Sequence, residues 1–585
     1  MTNKWLISNK SGDFNNIMKI FGVSEILARC LVNKDIVSID DIERYLNPKI
    51  EYLYDPYLMK DLKKACEILH NKIVTKKKIR IIGDYDVDGI ISTFILYKTL
   101  KRFGANIDYI IPDRVEDGYG INNYMVDTAY EDGIDTILTC DNGISAIEQI
   151  KKAKQHGMTV VITDHHDICI EDGQIIIPEA DAVVNPKQID CMYPFKGLCG
   201  GAITYKLMLG LIEYFEVSDK EKLIQELLGF SAIATVCDVM DLIDENRIIV
   251  KNGLEYLKTN NNIGLNTLFK VCEISIEEVS VYILGFVIGP CLNASGRLDT
   301  AVKGLRLLLT DSTEEALELA NELKILNELR KSMTIEGVEL AIEQIESIPL
   351  KEDKVLVVYL PECHESLAGI IAGRIKDKYH RPTIILANSK DIIKGSARSI
   401  EEYNIYEELN KCKDLLLKYG GHPLAAGMSL EKNNIDKLRE RLNAITDLTD
   451  DMLIPTINID IKLPLSYLTE ELIEELEMLE PFGKGNSKPL FAQKDMIIKS
   501  MMLLGKKKNV LKLNIINEKN VEIQAIYFGN VDDFFSYMEG KYGKEEVKKM
   551  ERGRYINAKL TATYYPKVNN YMNNKALQII IQNYR

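Results

Sequence analysis

At 585 residues, 46% of them hydrophobic and 27% charged, the chain has an ordinary globular makeup and room for about four domains. Its best apolar run, "VYILGFVIGPCL", is short for a bilayer and is cut by Gly and Pro, so no membrane span is expected. A net charge of −14 argues against nucleic acid, yet residues 501–585 hold 15 Lys+Arg against 8 Asp+Glu while the first 500 hold 58 against 79.

The N-terminus, "MTNKWLISNKSGDF", lacks the apolar core of a secretory signal. Eleven scattered cysteines, odd in number and without a CxxC pair, suit reduced thiols in the cytoplasm rather than a disulfide framework or a zinc ribbon.

Residues 1–55 read as a helical, irregular lead-in. From Lys78 the pattern changes: "IRIIG", "IDYIIP", "DTILTC" and "TVVITD" are predicted strands, alternating with helical stretches. Runs this apolar suit a mainly parallel sheet covered on both faces. Helical sequence follows over roughly 200–275. Residues 311–346 are predicted as one long acidic helix, opened by a capping box of Ser312 and Glu315. Ala316, Leu319, Leu323, Leu326 and Met333 keep helical period along it. A second α/β segment runs from "KVLVVYL" through "PTIILA" to about Ala444. Another acidic helix, "TEELIEELEMLE", leads to the strands "VLKLNII", "VEIQAIYF", "YINAKLTATYY" and "LQIIIQ", which suggest a small antiparallel barrel. The basic tail holds eleven aromatics, among them Tyr527, Phe528, Tyr555, Tyr564 and Tyr565. Rings among cations suit a single-strand-binding surface; on composition alone they read as the barrel's core.

Chemistry gathers where the predicted strands end. "RIIGDYDVDGII" puts Asp84, Asp86 and Asp88 on alternate positions between Gly83 and Gly89. The run mimics the start of an EF-hand, but a strand precedes it and the twelfth loop position is Ile95. "TCDNGIS" places Asp141 after a strand, "ITDHHD" places Asp164, His165 and His166 after the next, and Asp238 in "TVCDVMD" ends an apolar run. In an open parallel sheet the C-terminal strand ends share one edge, where the functional crevice lies. Any one cluster alone is more often turn or cap chemistry; together they predict a divalent-metal site. Oxygen-rich ligation with one or two imidazoles favours Mn²⁺ or Mg²⁺ over zinc. The ligands suffice for two ions, and paired ions suit transfer of a phosphoryl group to water.

With "DHH" the chain resembles the DHH phosphoesterases and, within them, the RecJ-type single-stranded-DNA-specific exonucleases. The likeness runs nearly end to end. "YLNPKIEYLYDPYLMKDLKKA" is similar to the family's lead-in, and "GDYDVDG", "PDRVEDGYG", "CDNGIS", "TDHH", "VNPKQIDCMYPFKGLCGGAITYKL" and "VCDVMDL" to its catalytic domain. "CHESLAGIIAGRI", "KGSARS" and "GGHPLAAG" resemble the DHH-associated lobe, and "LEPFGKGNSKPLFA" with "YYPKVNNY…LQIII" the oligonucleotide-binding barrel. The resemblance implies an α/β architecture: lead-in 1–55, DHH catalytic domain with a mainly parallel sheet at 56–310, connecting helix 311–348, DHH-associated α/β domain 349–446 and C-terminal OB-fold β-barrel 447–585.

It also implies roles. Asp86, Asp88, Asp141, His165 and Asp238 would bind two cations, Mn²⁺ or Mg²⁺, with Asp84 a further ligand and Asp141 the bridge. His166 would face the scissile phosphate and Asp164 orient an imidazole. Arg297 would clamp a phosphate, and Arg114, Ser396, Arg398, Gly421 and His422 would contact the substrate. The activity implied is 5′→3′ hydrolysis of single-stranded DNA in recombination and repair, with a single-strand-binding protein and a RecQ-type helicase as partners by analogy. The chain departs from the family pattern at Cys291, where relatives often carry Arg, at Cys363 and Ser366, where Trp and Gly are common, and at Ile82, where some have His. Two alternatives remain open at this point: a small-substrate DHH phosphodiesterase acting on nanoRNA or cyclic dinucleotides, and a non-catalytic DNA-binding scaffold on the same fold.

Overall fold

A computed structural model describes the chain except residues 1–2, 115, 119, 172–173, 348–349, 390–391, 506–507, 518, 553–557 and 572–573. It divides into two units, residues 50–455 and residues 1–49 with 456–585.

In the first unit the expected strands form at Lys78–Ile82, Asn106–Ile110, Thr136–Cys140 and Thr159–Thr163, and a short fifth one, Ala182–Val184, joins them. The order across the sheet is Asn106–Ile110, Lys78–Ile82, Thr136–Cys140, Thr159–Thr163, Ala182–Val184, all parallel. Thr136–Cys140 is buried at every position, as a strand covered on both faces must be. After Lys78–Ile82 the chain crosses to one side, then returns to continue on the other. The strand order therefore reverses between Lys78–Ile82 and Thr136–Cys140, and a crevice opens at their C-terminal ends.

Helices Val87–Arg102, Gly200–Ile212 and Lys220–Cys237 cover one face. Gly200–Ile212 is buried almost all round, which its near-continuous apolar sequence requires. The Lys206 ammonium on this helix donates to Glu245 Oε1 at 2.6 Å and to the Tyr54 carbonyl at 2.7 Å, and the Tyr193 hydroxyl donates to Glu245 Oε2 at 2.6 Å. These bonds tie the segment after Ile50 to the helical layer.

Residues Val281–Leu298 form one helix through a π-turn at Leu284–Ile288. Gly289 and Pro290, expected to end the apolar run, sit inside it. At 18 residues it is long and apolar enough to cross a membrane, contrary to expectation, but Leu284, Ile288, Cys291 and Leu292 are buried in the core. The connecting helix is Thr313–Glu346, about 50 Å long at 1.5 Å per residue. Its capping box is only half made. Ser312 Oγ accepts from the Glu315 N–H at 3.3 Å, but the Glu315 carboxylate takes Arg306 and Thr310, and the Ser312 N–H donates to Thr310 Oγ1.

The second lobe is a five-stranded mixed sheet ordered Leu416–His422, Ala425–Leu430, Ile392–Arg398, Thr383–Ser389, Leu356–Tyr359; the last pair is parallel. "GGHPLAAG" is a hairpin. An added Cβ on Gly421 (φ 147°) would lie 2.3 Å from the Ala425 carbonyl, so close approach of the two strands demands glycine there.

In the second unit, strands Phe491–Leu504, Val510–Ile516, Glu522–Tyr527, Asn574–Tyr584 and Ala558–Tyr571 pair in that order, and the last returns to the first to close a ring. This is the OB-fold barrel. It is not wholly antiparallel as expected: Glu522–Tyr527 and Asn574–Tyr584 run parallel, because helices Val531–Tyr542 and Lys544–Glu551 carry the chain across before the last two strands. Phe491–Leu504 went unread as a strand. Its register shifts between Gln493 and Met496, where Asp495 adopts φ 53°, and the bend lets one strand pair with both neighbours.

Residues 1–49 share this unit's core. Strand Lys4–Ile7 pairs with Thr456–Ile459, and Ile17, Leu27, Leu31 and Ile42 pack into the same apolar cluster as Leu472, Phe491 and Leu513.

Candidate metal centre

Strand Lys78–Ile82 delivers Asp84 and Asp86 to the crevice. Asp86 then caps helix Val87–Arg102, accepting from the Gly89 N–H at 3.1 Å. Asp88 lies in the first turn and is buried. Its two oxygens accept at 2.7 Å from the N–H groups of Gly200 and Gly201, the exposed donors of another helix start. Asp141 follows strand Thr136–Cys140 in the left-handed region (φ 60°), which Asp tolerates better than most residues. His165 and His166 follow Thr159–Thr163. Asp238 comes from the C-cap of helix Lys220–Cys237 rather than from a strand.

The six expected metal ligands meet as two triads. Donor atoms of Asp84, Asp86 and Asp141 lie within 4.8 Å of one another, as do those of Asp88, His165 and Asp238. Asp141 Oδ1 is 3.0 Å from His165 Nε2, so it stands between the triads. Burial first, then mutual repulsion, raises the Asp84 and Asp141 carboxyls well above the ordinary value; burial likewise raises Asp88. Burial pushes the His165 imidazole down, toward its neutral, cation-binding form. Asp84 Oδ1 and His165 Nδ1 are buried without a hydrogen-bond partner among the described residues. Repelling carboxylates, a neutral imidazole and an orphaned buried oxygen are what divalent cations relieve, so the residues fit two of them.

Asp164 is wholly buried. Its Oδ1 accepts from the His165 and His166 N–H groups and pairs with His166 Nδ1 at 2.7 Å, while Oδ2 accepts from the Ile144 N–H at 2.8 Å. Burial opposes charge on His166, but the bond to Asp164 carries its imidazole up to about 9. The orienting role expected of Asp164 thus has its geometry.

A cleft of about 600 Å³ separates the two lobes of this unit, lined by Tyr85, Arg114, Ser366, Lys394, Ser396 and Lys418 among others. The Arg114 guanidinium lies 4.5 Å from the Tyr85 ring centroid. Arg297 sits behind Ser366: its Nη1 donates to the Ser366 carbonyl at 2.7 Å and Ser366 Oγ donates to the Arg297 carbonyl at 3.1 Å. Burial, then the charges of Arg114 and Arg330, lowers this guanidinium to about 9, a cation held ready for an anion. Arg398 donates to the Ala397 carbonyl beside Ser396. Gly421 and His422 stand on the exposed hairpin, with His422 Nδ1 3.7 Å from Asp167 just past the second histidine.

Cys291 does not reach the cleft. It is buried, accepts from Asn327 Nδ2 at 3.3 Å and lies 3.8 Å from the Cys272 sulfur. Ser366 joins the lobes instead of leaving a gap. Sequence reading assigned no role to Gly200, Gly201 or Asn293. An added Cβ on Gly200 would lie 2.7 Å from Asp141 Cβ, and one on Gly201 2.5 Å from Ala234 Cβ. Asn293 Oδ1 accepts from the Val87 N–H at 3.2 Å. The only signal was the paired glycine in "LCGGAI" before a helical run.

In the barrel unit most of the tail's aromatics are core. Tyr564 is buried with its hydroxyl on the Leu463 carbonyl, and Tyr527 packs with Phe534 and Tyr584. Phe528 is exposed; Tyr555 lies outside the described residues. Lys488, from the "PFGKGNSKP" run, sits over the rings of Phe482 and Tyr565 beside a cavity of about 780 Å³ that Lys10 and Lys34 also line.

Comparison with known proteins agrees with this anatomy. Residues 78–235 match the DHH family N-terminal domain, 352–447 the DHHA1 domain and 459–583 the RecJ OB domain. The single-stranded-DNA-specific exonuclease RecJ of Bacillus subtilis is 36% identical over 522 residues, spanning 88% of this chain and 65% of the relative. The chain thus spans less than two thirds of that protein's length. The enzyme of the same name from Escherichia coli K12 is 34% identical, over 80% of this chain and 82% of its own. The crystal structure of Thermus thermophilus RecJ in complex with Mn²⁺ superposes with TM-score 0.82 at 26% identity, covering 100% of this chain and 79% of that one. A second structure, exonuclease RecJ bound to manganese, gives TM-score 0.58 at 31% identity over 67% of this chain and 96% of its own. The chain belongs to the RecJ family of single-stranded-DNA-specific exonucleases, built on the DHH fold.

Proposed function

We propose that this chain is a metal-dependent exonuclease that degrades single-stranded DNA from the 5′ end, in recombination and repair. The observation that carries the reading is the meeting at Asp141 of a triad of carboxylates with a carboxylate–imidazole triad. Asp84, Asp86 and Asp141 would hold one divalent cation, and Asp88, His165 and Asp238 the other, with Asp141 bridging. Two such cations, Mn²⁺ or Mg²⁺, would supply an activated water and charge neutralisation at the phosphate.

The chain's own residues do the rest. Asp164 orients the His166 ring by holding Nδ1, and His166 faces the scissile phosphate. Arg297 and Arg114 meet phosphate oxygens, and Ser396, Arg398, Gly421 and His422 form the opposite wall of the path. Gly200 and Gly201 fix Asp88 in place by donating to both its oxygens. The barrel unit, with Lys488 between two rings, grips the strand; a small-substrate phosphodiesterase would have no use for it. Free cysteines throughout suit a reducing cytoplasm. A single-strand-binding protein and a RecQ-type helicase are partners on family likeness alone, tested by co-purification.

The direct test is digestion of 5′- and 3′-labelled single strands with Mn²⁺. Stepwise loss of the 5′ label by wild type and none by Asp141→Ala is expected. If both proteins are inert across metals and pH, the scaffold alternative replaces this reading.

A further inference from the structure

Three side chains of the two triads and their surroundings are partly open to solvent: Asp86, His166, 39% exposed, and Asp238, 26% exposed; Asp84, Asp88, Asp141 and His165 are buried. That side of the cage is its mouth, and a strand reaching the cations must cross it. Val239, directly after Asp238, is 60% exposed.

Helix Val281–Leu298 packs against this mouth. An added Cβ on Gly289 would lie 2.5 Å from the Cys237 sulfur, one on Gly285 would lie 3.5 Å from Val236, and the Cys237 thiol donates to the Leu284 carbonyl. Near its far end the same helix carries Asn293, bonded to the Val87 N–H between Asp86 and Asp88, and Arg297. Tyr282 and Phe286 stand one turn apart at the start of this helix; after the π-turn, Gly289, Asn293 and Arg297 lie against Cys237, Val87 and Ser366. The first two, Tyr282 and Phe286, are largely exposed aromatic rings. Tyr282 is 65% exposed and Phe286 67%, and their rings stack with centroids 5.1 Å apart at 24°. A soluble helix ordinarily turns such rings inward. The π-turn at Leu284–Ile288 widens the helix between them.

We infer that the Tyr282–Phe286 pair is a base-stacking platform for the single strand just outside the metal centre. Tyr282 lies seven residues from Gly289, about 10 Å along the helix, which spans about three stacked nucleotides at ~3.4 Å each. Every base offers a ring face, so stacking holds a strand without reading its sequence, as a processive exonuclease needs. The occupant is nucleic acid rather than a protein partner, because the pair stands on the helix that packs on Cys237 beside Asp238 and carries Asn293 and Arg297 toward the metal centre. The inference rests on the nuclease reading above.

The experiment compares wild type, the Tyr282→Ala/Phe286→Ala double variant and the ring-preserving Tyr282→Phe/Phe286→Tyr double variant. With Mn²⁺, kcat/KM is measured for a 12-nucleotide strand and for a dinucleotide too short to reach the rings. The ratio of the two should fall about tenfold in the alanine variant and recover with the rings. In a second arm, with EDTA so that the strand stays whole, 2-aminopurine is placed at successive positions from the 5′ end. Its fluorescence should be quenched at two or three adjacent positions, and the quenching lost in the alanine variant. An unchanged ratio together with unchanged quenching overturns the platform while leaving the nuclease intact. Should wild type cleave no strand at all, the nuclease reading fails, and the fluorescence arm still decides the platform.

Discussion

Gly200→Ala is a one-methyl probe of the metal centre. The new Cβ would start 2.7 Å from Asp141 Cβ, 3.0 Å from Cγ and 2.9 Å from Oδ1. Ordinary contact begins near 3.4 Å, so Asp141 or the helix start must give about 0.7 Å. Neither moves freely. The Gly200 N–H is bonded to Asp88 Oδ2, and the Asp141 N–H to the Thr163 carbonyl at 3.0 Å. Overpacking of this kind costs about 1–3 kcal/mol. A catalytic group displaced by ~1 Å costs on the order of 100-fold in rate. We therefore expect a lower melting temperature, kcat reduced about 10- to 100-fold, and a higher Mn²⁺ concentration for half-maximal rate. The assay is hydrolysis of an end-labelled strand across a Mn²⁺ titration, beside a thermal melt. Gly210→Ala, on the same helix but facing only the side chains of Leu62, Cys66 and Tyr57, should lower stability without shifting the Mn²⁺ dependence. Wild-type kcat and Mn²⁺ half-saturation in Gly200→Ala would refute the packing argument.

Other expectations are equally open to measurement. Asp84, Asp88 and Asp141 carry raised folded-state values, so in metal-free protein their stabilising protonation is lost as pH rises through and above the ordinary Asp value of about 3.9. Melting with EDTA should fall as pH rises from 4, and Mn²⁺ should flatten the slope; parallel curves would count against a cation cage. Asp164→Asn should cost about 10- to 100-fold in kcat by releasing the His166 ring, with little change in strand affinity by anisotropy. Lys206→Met strands the buried Glu245 and should destabilise by about 3–5 kcal/mol in denaturant titration. A fragment of residues 50–455 should still cut dinucleotides while losing affinity for long strands and the salt dependence of that affinity. Removing 456–585 alone should instead give aggregation, visible by light scattering, because Leu27, Leu31 and Ile42 lose the core they share.

The clustering of the candidate ligands was legible because most of these carboxylates and imidazoles follow apolar strand runs, and a parallel sheet must bring such run ends to one edge; Asp238 comes instead from a helix end. The strand reversal that opens the crevice was not legible, since local pattern does not encode strand order. Gly200 and Gly201 escaped because their role is steric and lies toward Asp141 and Asp88, far away in sequence. The alternation of the barrel strands revealed their existence but not the parallel pairing of Glu522–Tyr527 with Asn574–Tyr584. Lys494–Asp495, at the bend of Phe491–Leu504, broke the pattern that would have marked that strand. Cys291 stood out in the sequence only as a departure from the Arg that relatives often carry; its burial against Cys272 and Asn327 depends on helix packing that sequence does not reveal.

Residues 1–49 and 456–585 complete one body, and residues 50–455 stand between them along the chain. During synthesis, residues 1–49 emerge first but find their partners only when residues 456 onward leave the ribosome. At ~5–20 residues per second the wait is about 20–80 s. Throughout that interval Leu27, Leu31 and Ile42 have no shelter, while the unit of residues 50–455 can already fold. A newborn molecule would thus complete the unit that holds the clustered carboxylates before the barrel unit, and premature termination anywhere in the barrel would leave sticky apolar surface for chaperones and proteases to find.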